Sequence, residues 1–280
     1  MTLLGAAQIR ELAAKLDLKP SKSLGQNFVI DSNVCTKIVR TAAVTADDIA
    51  LEIGPGLGSL TLAMLEIAKS VVAVEIDPRL AQQLPLTVAE HFQHPENLTV
   101  INKDALAVND LPMQPTVLVA NLPYNVSVPV LLHLLEKFPS IRTGVVMVQA
   151  EVADRLAAKP GGKEYGIPSV KAAWWADVKN VGTVSRSIFW PAPNVDSKLV
   201  GFTRRETAGP EEMREKVFTI IDAAFAQRRK MLRSALSSLY GSSSAAEEIL
   251  IKAGIDPTLR GEALQVESFC KIAAVAPDIF

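Results

Sequence analysis

The chain has 280 residues, 29 Lys+Arg against 30 Asp+Glu, and a formal net charge of −1. At roughly 150 residues per domain this length predicts about two domains, and 49% hydrophobic with 21% charged residues excludes a wholly disordered chain. Two cysteines, Cys35 and Cys270, exclude a disulfide framework or a Cys-built zinc site, and three histidines leave little material for a metal centre, so no metal is expected.

Residues 1–19 read as a helix, with Ile9, Leu12, Ala13 and Leu16 on one face. The first 25 residues carry Arg10, Glu11, Lys15, Asp17 and Lys19 and lack the apolar run of a signal peptide. No window reaches 18 consecutive apolar residues. No membrane span is therefore expected, and a cytoplasmic protein is. The stretch KPSKSLGQNFVID reads as a loop broken by Pro20 and Gly25. A helix follows it, capped by Asp31 or Ser32, with Val34, Ile38 and Val39 facing inward.

From residue 49 short apolar runs alternate with helical stretches. IALEI precedes a helix from Ser59 to about Ala68, and VVAVEI precedes one from Pro78. LTVI and TVLVA come next, then a helix Ser127–Lys137, then GVVMVQ and a helix to Ala158. Runs this apolar suit strands buried on both faces, and the alternation predicts a mainly parallel sheet covered by helices. Asp177–Val184 and Val195–Arg204 read as later strands on either side of FWPAP, forming an antiparallel pair at one edge. After Arg205 the strand signal stops, and helices are expected over 210–226, 230–239, about 245–253 and 266–276, with GSSSAA at 241–246 as a loop. The expected fold is α/β: a Rossmann-like sheet domain over 1–205 and a smaller all-helical domain over 206–280. The stretch AQRRKMLRSALSSLY holds Arg228, Arg229, Lys230 and Arg233 with no acid, and on a helix it places Arg229 and Arg233 on one face. Such a patch binds phosphate even when distant carboxylates cancel it in the sum; the bland alternative is a solvated basic face.

The first strand runs into Gly54-Pro55-Gly56-Leu57-Gly58. Ligands of open α/β sheets bind at the carboxyl ends of strands, where glycines let the backbone approach closely. Glu75 ends the second strand, 21 positions after Gly54, where a carboxylate accepts hydrogen bonds from ribose hydroxyls. Asp104 lies just beyond the third strand, placed to receive an adenine amino group. Each acid alone reads as a surface residue or a helix cap; three strand ends in order point to a nucleoside. The G-x-G-x-G spacing favours S-adenosylmethionine over NAD, because methyl transfer needs no diphosphate cradle.

The fourth strand ends in Val119-Ala120-Asn121-Leu122-Pro123-Tyr124-Asn125. An adenine N6 lone pair is delocalised into the ring and is a poor nucleophile. Two acceptors for the amino hydrogens favour a pyramidal nitrogen whose lone pair points at a methyl carbon. The Asn121 side-chain oxygen and the Leu122 carbonyl are such acceptors. Pro123 fixes the turn, and Tyr124 offers a ring on which a flipped base stacks. Phe189 is a candidate for the second face of an aromatic clamp, the alternative being a place in the core. The bland reading of the whole motif is a proline turn closing a strand.

Together these residues resemble the ribosomal RNA adenine dimethyltransferase family. The resemblance rests on SKSLGQNF, LEIGPGLGSLT, VVAVEID, KDAL, VANLPYNVS, VMVQAEVADRL, PGGKEYGIPSV and FWPAPNVDSKLV, in that order, and covers roughly 20–205 by motif. Val29 stands where the family usually has Leu, and so does Pro168. The resemblance implies S-adenosylmethionine as methyl donor. It implies that Asn27 and the backbone at Val29 close over its methionine end, within an N-terminal segment 1–30 that covers the site. Gly54 and Gly56 would form its glycine loop, Glu75 would hold the ribose, Asp104 the adenine, and Asn121 would border the transferred methyl. It further implies two adjacent adenosines near the 3′ end of 16S rRNA as substrate, within an assembling 30S subunit. Arg228, Arg229, Lys230 and Arg233 would then dock rRNA, and a monomer is expected. Three alternatives stay open: a non-catalytic assembly or transcription factor of the same fold, a large-subunit rRNA methyltransferase of the macrolide-resistance type, and an NAD-dependent oxidoreductase.

Overall fold

In a computed structural model of the chain, residues 3–18 and 26–278 are described. Lys19, Pro20 and all of SKSLG (21–25), including Lys22 and Gly25, lie outside the described residues.

The N-terminal part holds α1 (Ala6–Lys15), β1 (Phe28–Val29) and α2 (Ser32–Thr41). Asp31 caps α2, accepting from the amides of Asn33 at 2.9 Å and Val34 at 3.3 Å. The alternating region gives β2 (Ile49–Ile53), α3 (Ser59–Leu65), β3 (Ser70–Glu75), α4 (Pro78–His91), β4 (Leu98–Asn102), β5 (Val117–Asn121), α5 (Ser127–Lys137), β6 (Thr143–Gln149) and α6 (Ala150–Ala157). Then come α7 (Ile167–Ala172), β7 (Ala176–Val184), β8 (Phe189–Trp190) and β9 (Ser197–Arg204). The tail holds α8 (Arg214–Ala226), α9 (Leu232–Ala235), α10 (Ser237–Tyr240), α11 (Ser243–Lys252) and α12 (Val266–Val275).

Seven strands form one sheet in the order β4-β3-β2-β5-β6-β9-β7. Strands β4 through β6 run parallel, and β9 is antiparallel to β6. The central strands are buried on both faces, as their unbroken apolar runs require: Leu51, Val71, Val72, Val119 and Ala120 are fully enclosed. The chain builds β2, β3 and β4 outward in one direction and then returns to lay β5 on the other side of β2. This reversal opens a crevice beyond the ends of β2 and β5, where sheets of this kind take ligands. As expected, β7 is an edge strand beside β9.

One element has no counterpart in the sequence reading. Strands β1 and β8 form a separate antiparallel ribbon, with Phe28 opposite Trp190 and Val29 opposite Phe189. The Ile30 amide extends it to the Ile188 carbonyl at 2.8 Å. Two-residue strands carry no periodicity to detect.

The chain divides into two compact units, one of Met1–Ala153 with Asn180–Thr203, the other of Asp154–Lys179 with Arg204–Phe280. The expected boundary at 206 is near the last junction, but Asp154–Lys179 joins the helical tail. Within that unit the Tyr165 hydroxyl donates to the Leu264 carbonyl at 2.8 Å, and Arg205 Nε donates to the Ala173 carbonyl at 2.9 Å. Trp174 and Trp175 both meet Phe218 edge-on, at 6.0 and 5.6 Å. Two further expectations need correcting. Residues 241–246 are not a loop, because Ser242 accepts from the Ala245 amide at 3.1 Å and starts α11. The helix expected over 230–239 is two short helices that meet at Leu236.

Candidate functional site

The crevice between β2 and β5 is floored by the glycine turn. Gly54 and Gly56 have φ of +67° and +57°, which L side chains rarely adopt. The Gly54 amide is tied to the Val74 carbonyl at 2.9 Å. A Cβ on Gly56 would lie 2.9 Å from Phe28 Cδ1, so only glycine lets this ring cover the turn. The ribbon is held there from below by Ser59 Oγ, which donates to the Val29 carbonyl at 2.7 Å.

Glu75 ends β3 and is 4% exposed. Its two carboxylate oxygens accept from the amides of Gly56 at 3.2 Å and Asp77 at 2.9 Å. Burial pushes this carboxyl above the usual range, while the two amides hold it down and the Asp77 charge adds to the rise. Asp104 is exposed and does two things at once. It caps a short turn by accepting from the Leu106 amide at 2.9 Å, and it lines the same crevice as Glu75.

Asn121 is the last residue of β5. Its Nδ2 donates to the Asn27 carbonyl at 3.1 Å, which fixes the amide plane. Its Oδ1 is buried and has no hydrogen-bond partner among the described residues. A buried acceptor left unsatisfied costs stability and asks for a functional explanation. Leu122 is anchored by its amide to the Met147 carbonyl at 3.1 Å, with its side chain 1% exposed. The Tyr124 hydroxyl shares a 2.6 Å hydrogen bond with Ser197 Oγ, and burial raises its pKa against the pull of that bond.

Asn27, Val29, Gly54, Gly56, Glu75, Asp104, Asn121 and Pro123 all line one cavity of about 180 Å³. Leu122, Tyr124 and Phe189 are not part of its wall. Phe189, read as a candidate clamp ring, sits 3% exposed in the core, opposite Val29 in the ribbon. The ring that faces the cavity is Phe28, backed by Trp190 in a stacked pair at 6.3 Å.

Three more lining residues escaped the sequence reading. Ile76 and Leu106 are large apolar side chains left 49% and 40% exposed beside Glu75 and Asp104. Glu52 lies in β2, 1% exposed, and accepts from Thr61 Oγ1 at 2.6 Å. Burial pushes its carboxyl up to about 8; the Thr61 bond pulls the other way and the Glu75 charge adds to the rise. The only sequence signal was one acid inside an apolar strand run.

The basic stretch of the tail is not one helical face. Arg228, Arg229 and Lys230 occupy the turn after α8, and Arg233 lies in α9. Nor does it lack compensating acids. Arg228 pairs with Glu262 at 2.9 Å and Arg233 with Glu247 at 3.2 Å. Arg228 also donates to the carbonyls of Gly162 and Lys163. Arg229 and Lys230 are exposed and form no ion pair among the described residues.

The family model for ribosomal RNA adenine dimethylase matches residues 18–278. The chain is 58% identical over 280 residues to a protein of Streptomyces griseus named ribosomal RNA small subunit methyltransferase A, covering 99% of this chain and 96% of that one. It is 55% identical over 277 residues to the protein of the same name from an Arthrobacter species, covering 99% and 94%. Among solved structures, a dimethyladenosine transferase from Plasmodium falciparum superposes with a TM-score of 0.73 at 25% identity, covering 88% of this chain and 95% of that one. The 23S rRNA methyltransferase ErmE gives a TM-score of 0.65 at 27% identity, covering 89% and 98%. With the family model matching residues 18–278 and relatives at 55% and 58% identity covering 99% of the chain, the chain belongs to the ribosomal RNA adenine dimethylase family.

Proposed function

We propose that the chain transfers methyl groups from S-adenosylmethionine to N6 of two adjacent adenosines in the 3′-terminal hairpin loop of 16S rRNA, dimethylating each within an assembling 30S subunit. The observation that carries this reading is the buried Asn121 Oδ1 at the end of β5, without a partner among the described residues. The cavity fits a nucleoside cofactor: a glycine cradle that a Cβ would obstruct, a buried carboxylate at the second strand end, and apolar faces at Ile76 and Leu106. S-adenosylmethionine, when bound, supplies a methyl carbon on a positively charged sulfur.

The residues divide the work. Glu75 holds the ribose, with lone pairs left over after its two amide bonds. Asp104 takes the adenine amino group, and Asn27, Gly54 and the Val29 backbone border the methionine end. Asn121 Oδ1 accepts one hydrogen of the substrate amine, and the Leu122 carbonyl accepts the other. Both draw the amine towards a pyramidal nitrogen with its lone pair free. Because Nδ2 of Asn121 is already bonded to Asn27, the acceptor is oriented before substrate arrives. No strong base is required, since the proton leaves a nitrogen that has become an ammonium. Pro123 shapes the turn, and the bond to Ser197 holds the Tyr124 ring for a flipped base to stack on. Phe189 supports the ribbon from the core.

Arg229 and Lys230 contact rRNA phosphates, with Arg228 and Arg233 bracing that surface, in a helical domain over 206–280 that docks the subunit. The protein acts as a monomer in the cytoplasm. The small-subunit target is supported by relatives at 55–58% identity over nearly the full chain. The likeness to ErmE favours a second reading, large-subunit rRNA as substrate, but at 27% identity. Incubating the full chain with labelled S-adenosylmethionine and a mixture of undermethylated 30S and 50S subunits tests the proposal. Label in two neighbouring 16S adenosines is expected. Absence of label from rRNA overturns it, and label confined to 23S rRNA selects the second reading.

A further inference from the structure

We propose that Glu52 is the proton-exchanging group of the cofactor cavity, neutral while the cavity holds no cation and ionised once the sulfonium cofactor enters, so that cofactor binding expels a proton to solvent. The inference rests on the proposed identity of the cofactor and extends it to a residue with no role so far.

Glu52 is the fourth of five residues in β2, paired with Ala73 of β3; it is nearly enclosed and is one of the residues lining the cavity. Its one hydrogen bond among the described residues comes from Thr61 of α3. The groups facing it are acids or neutral. Glu75 lies two residues beyond Ala73 on β3. Cys35 of α2 is fully buried, its thiol pushed up to about 12 by burial, with the charges of Glu52 and Asp31 adding to it. Lys103 is the one basic residue lining the cavity among the described residues; it is exposed and makes no ion pair with Glu52. An ionised Glu52 would thus be a buried, uncompensated charge beside a second carboxylate.

Glu75 is not an equivalent candidate. Both its oxygens accept backbone amides, and such bonds favour the ionised form. The two acids therefore differ by design of their partners: Glu75 is a fixed acceptor and Glu52 answers the charge of the occupant. The sulfonium cofactor carries one positive charge more than its thioether product. Glu52 then contributes more to holding the donor than the spent product, and takes its proton back as the product leaves.

Calorimetric titration of the full chain with S-adenosylmethionine, in buffers of different ionisation enthalpy at pH 7, 8 and 9, counts the protons released. The amino group of the cofactor titrates near the same range, so the difference between wild type and Glu52→Gln isolates the residue. Wild type should release close to one proton more than Glu52→Gln at pH 7, about half at pH 8 and almost none at pH 9. Glu52→Gln should also narrow the affinity gap between S-adenosylmethionine and S-adenosylhomocysteine. Equal proton counts in the two proteins overturn the inference while leaving the cofactor assignment standing. Failure of wild type to bind S-adenosylmethionine at all overturns the cofactor assignment itself. Should Glu52→Gln not fold, Thr61→Val serves instead. It removes a donor that favours the ionised form, so half-release must move to higher pH, and an unmoved midpoint is the contrary result.

Discussion

Replacing Asn121 by alanine separates what this side chain does for the fold from what it does for the chemistry. The substitution removes the 3.1 Å bond from Nδ2 to the Asn27 carbonyl, a loss of about 0.5–1.5 kcal/mol. It also removes Oδ1, a buried acceptor without a partner among the described residues, and so relieves a desolvation cost of about 1–3 kcal/mol. The two effects oppose each other, and the variant should be as stable as wild type or slightly more so. For a protein of this size a net change of about 1 kcal/mol moves Tm by roughly 2–4 °C. Catalysis has no such compensation. An oriented polar group aimed at developing charge in a water-poor site is worth about 10²–10³ in rate. Single-turnover transfer of labelled methyl groups to undermethylated 30S subunits, run beside a thermal melt, measures both quantities on one preparation. Transfer within tenfold of wild type would show that Oδ1 is not the acceptor. A Tm lowered by more than about 10 °C would show that the oxygen is structural.

Glu75→Ala should weaken S-adenosylmethionine binding by roughly 5–150-fold, the span of 1–3 kcal/mol for hydrogen bonds lost in a buried polar site; equilibrium titration decides, and unchanged affinity would place the ribose elsewhere. Reversing Arg229 and Lys230 to Glu should reduce binding to 30S subunits and flatten its dependence on log salt by about two, since these exposed cations have no acid partners among the described residues; an unaltered slope would remove this turn from the docking surface. Asp48 should give the fold an acid-labile contact. Burial raises its carboxyl, but bonds from Thr116 at 2.7 Å, from the amide and hydroxyl of Thr45 at 2.8 Å, and from Arg142 at 2.9 Å outweigh it and leave the pKa lowered. A lowered carboxyl stabilises the fold above its unfolded value near 4 and loses that contribution as pH falls through the folded value. Melts between pH 6 and 2 should therefore show wild type losing stability more steeply than Asp48→Asn, and parallel curves would refute the assignment.

The parallel sheet was legible because strands buried on both faces must be written as unbroken runs of Val, Ile, Leu and Ala, and VVAVEI and TVLVA are. The strand-end residues Gly54, Glu75, Asp104 and Asn121 were legible for the same reason: once the strands are placed, their ends are fixed, and all four line one cavity. What escaped was contact between distant segments. Nothing near Phe28 announces that it pairs with Trp190, so the ring covering the glycine turn is not legible in its own segment. Glu52 looked like an interruption of an apolar run; its enclosure depends on Thr61 and on the neighbouring strand. The acid-free stretch around Arg228 was a property of local sequence only, because Glu262 comes from 34 residues further on. The membership of Asp154–Lys179 in the second unit rests on partners such as Leu264 and Phe218, which no window around Tyr165 or Trp174 contains.

The β1–β8 ribbon also imposes a timetable on the newborn chain. Phe28 leaves the peptidyl-transferase centre early, yet its partner Trp190 is about 160 residues behind it. At roughly 5–20 residues per second this is a delay of about 10–30 s during translation. Over that interval strands β2 to β6 can assemble in order, each beside a neighbour already made, while the aromatic wall over Gly56 still lacks its support. The aromatic wall over the glycine turn is thus completed only when the polypeptide is two-thirds made.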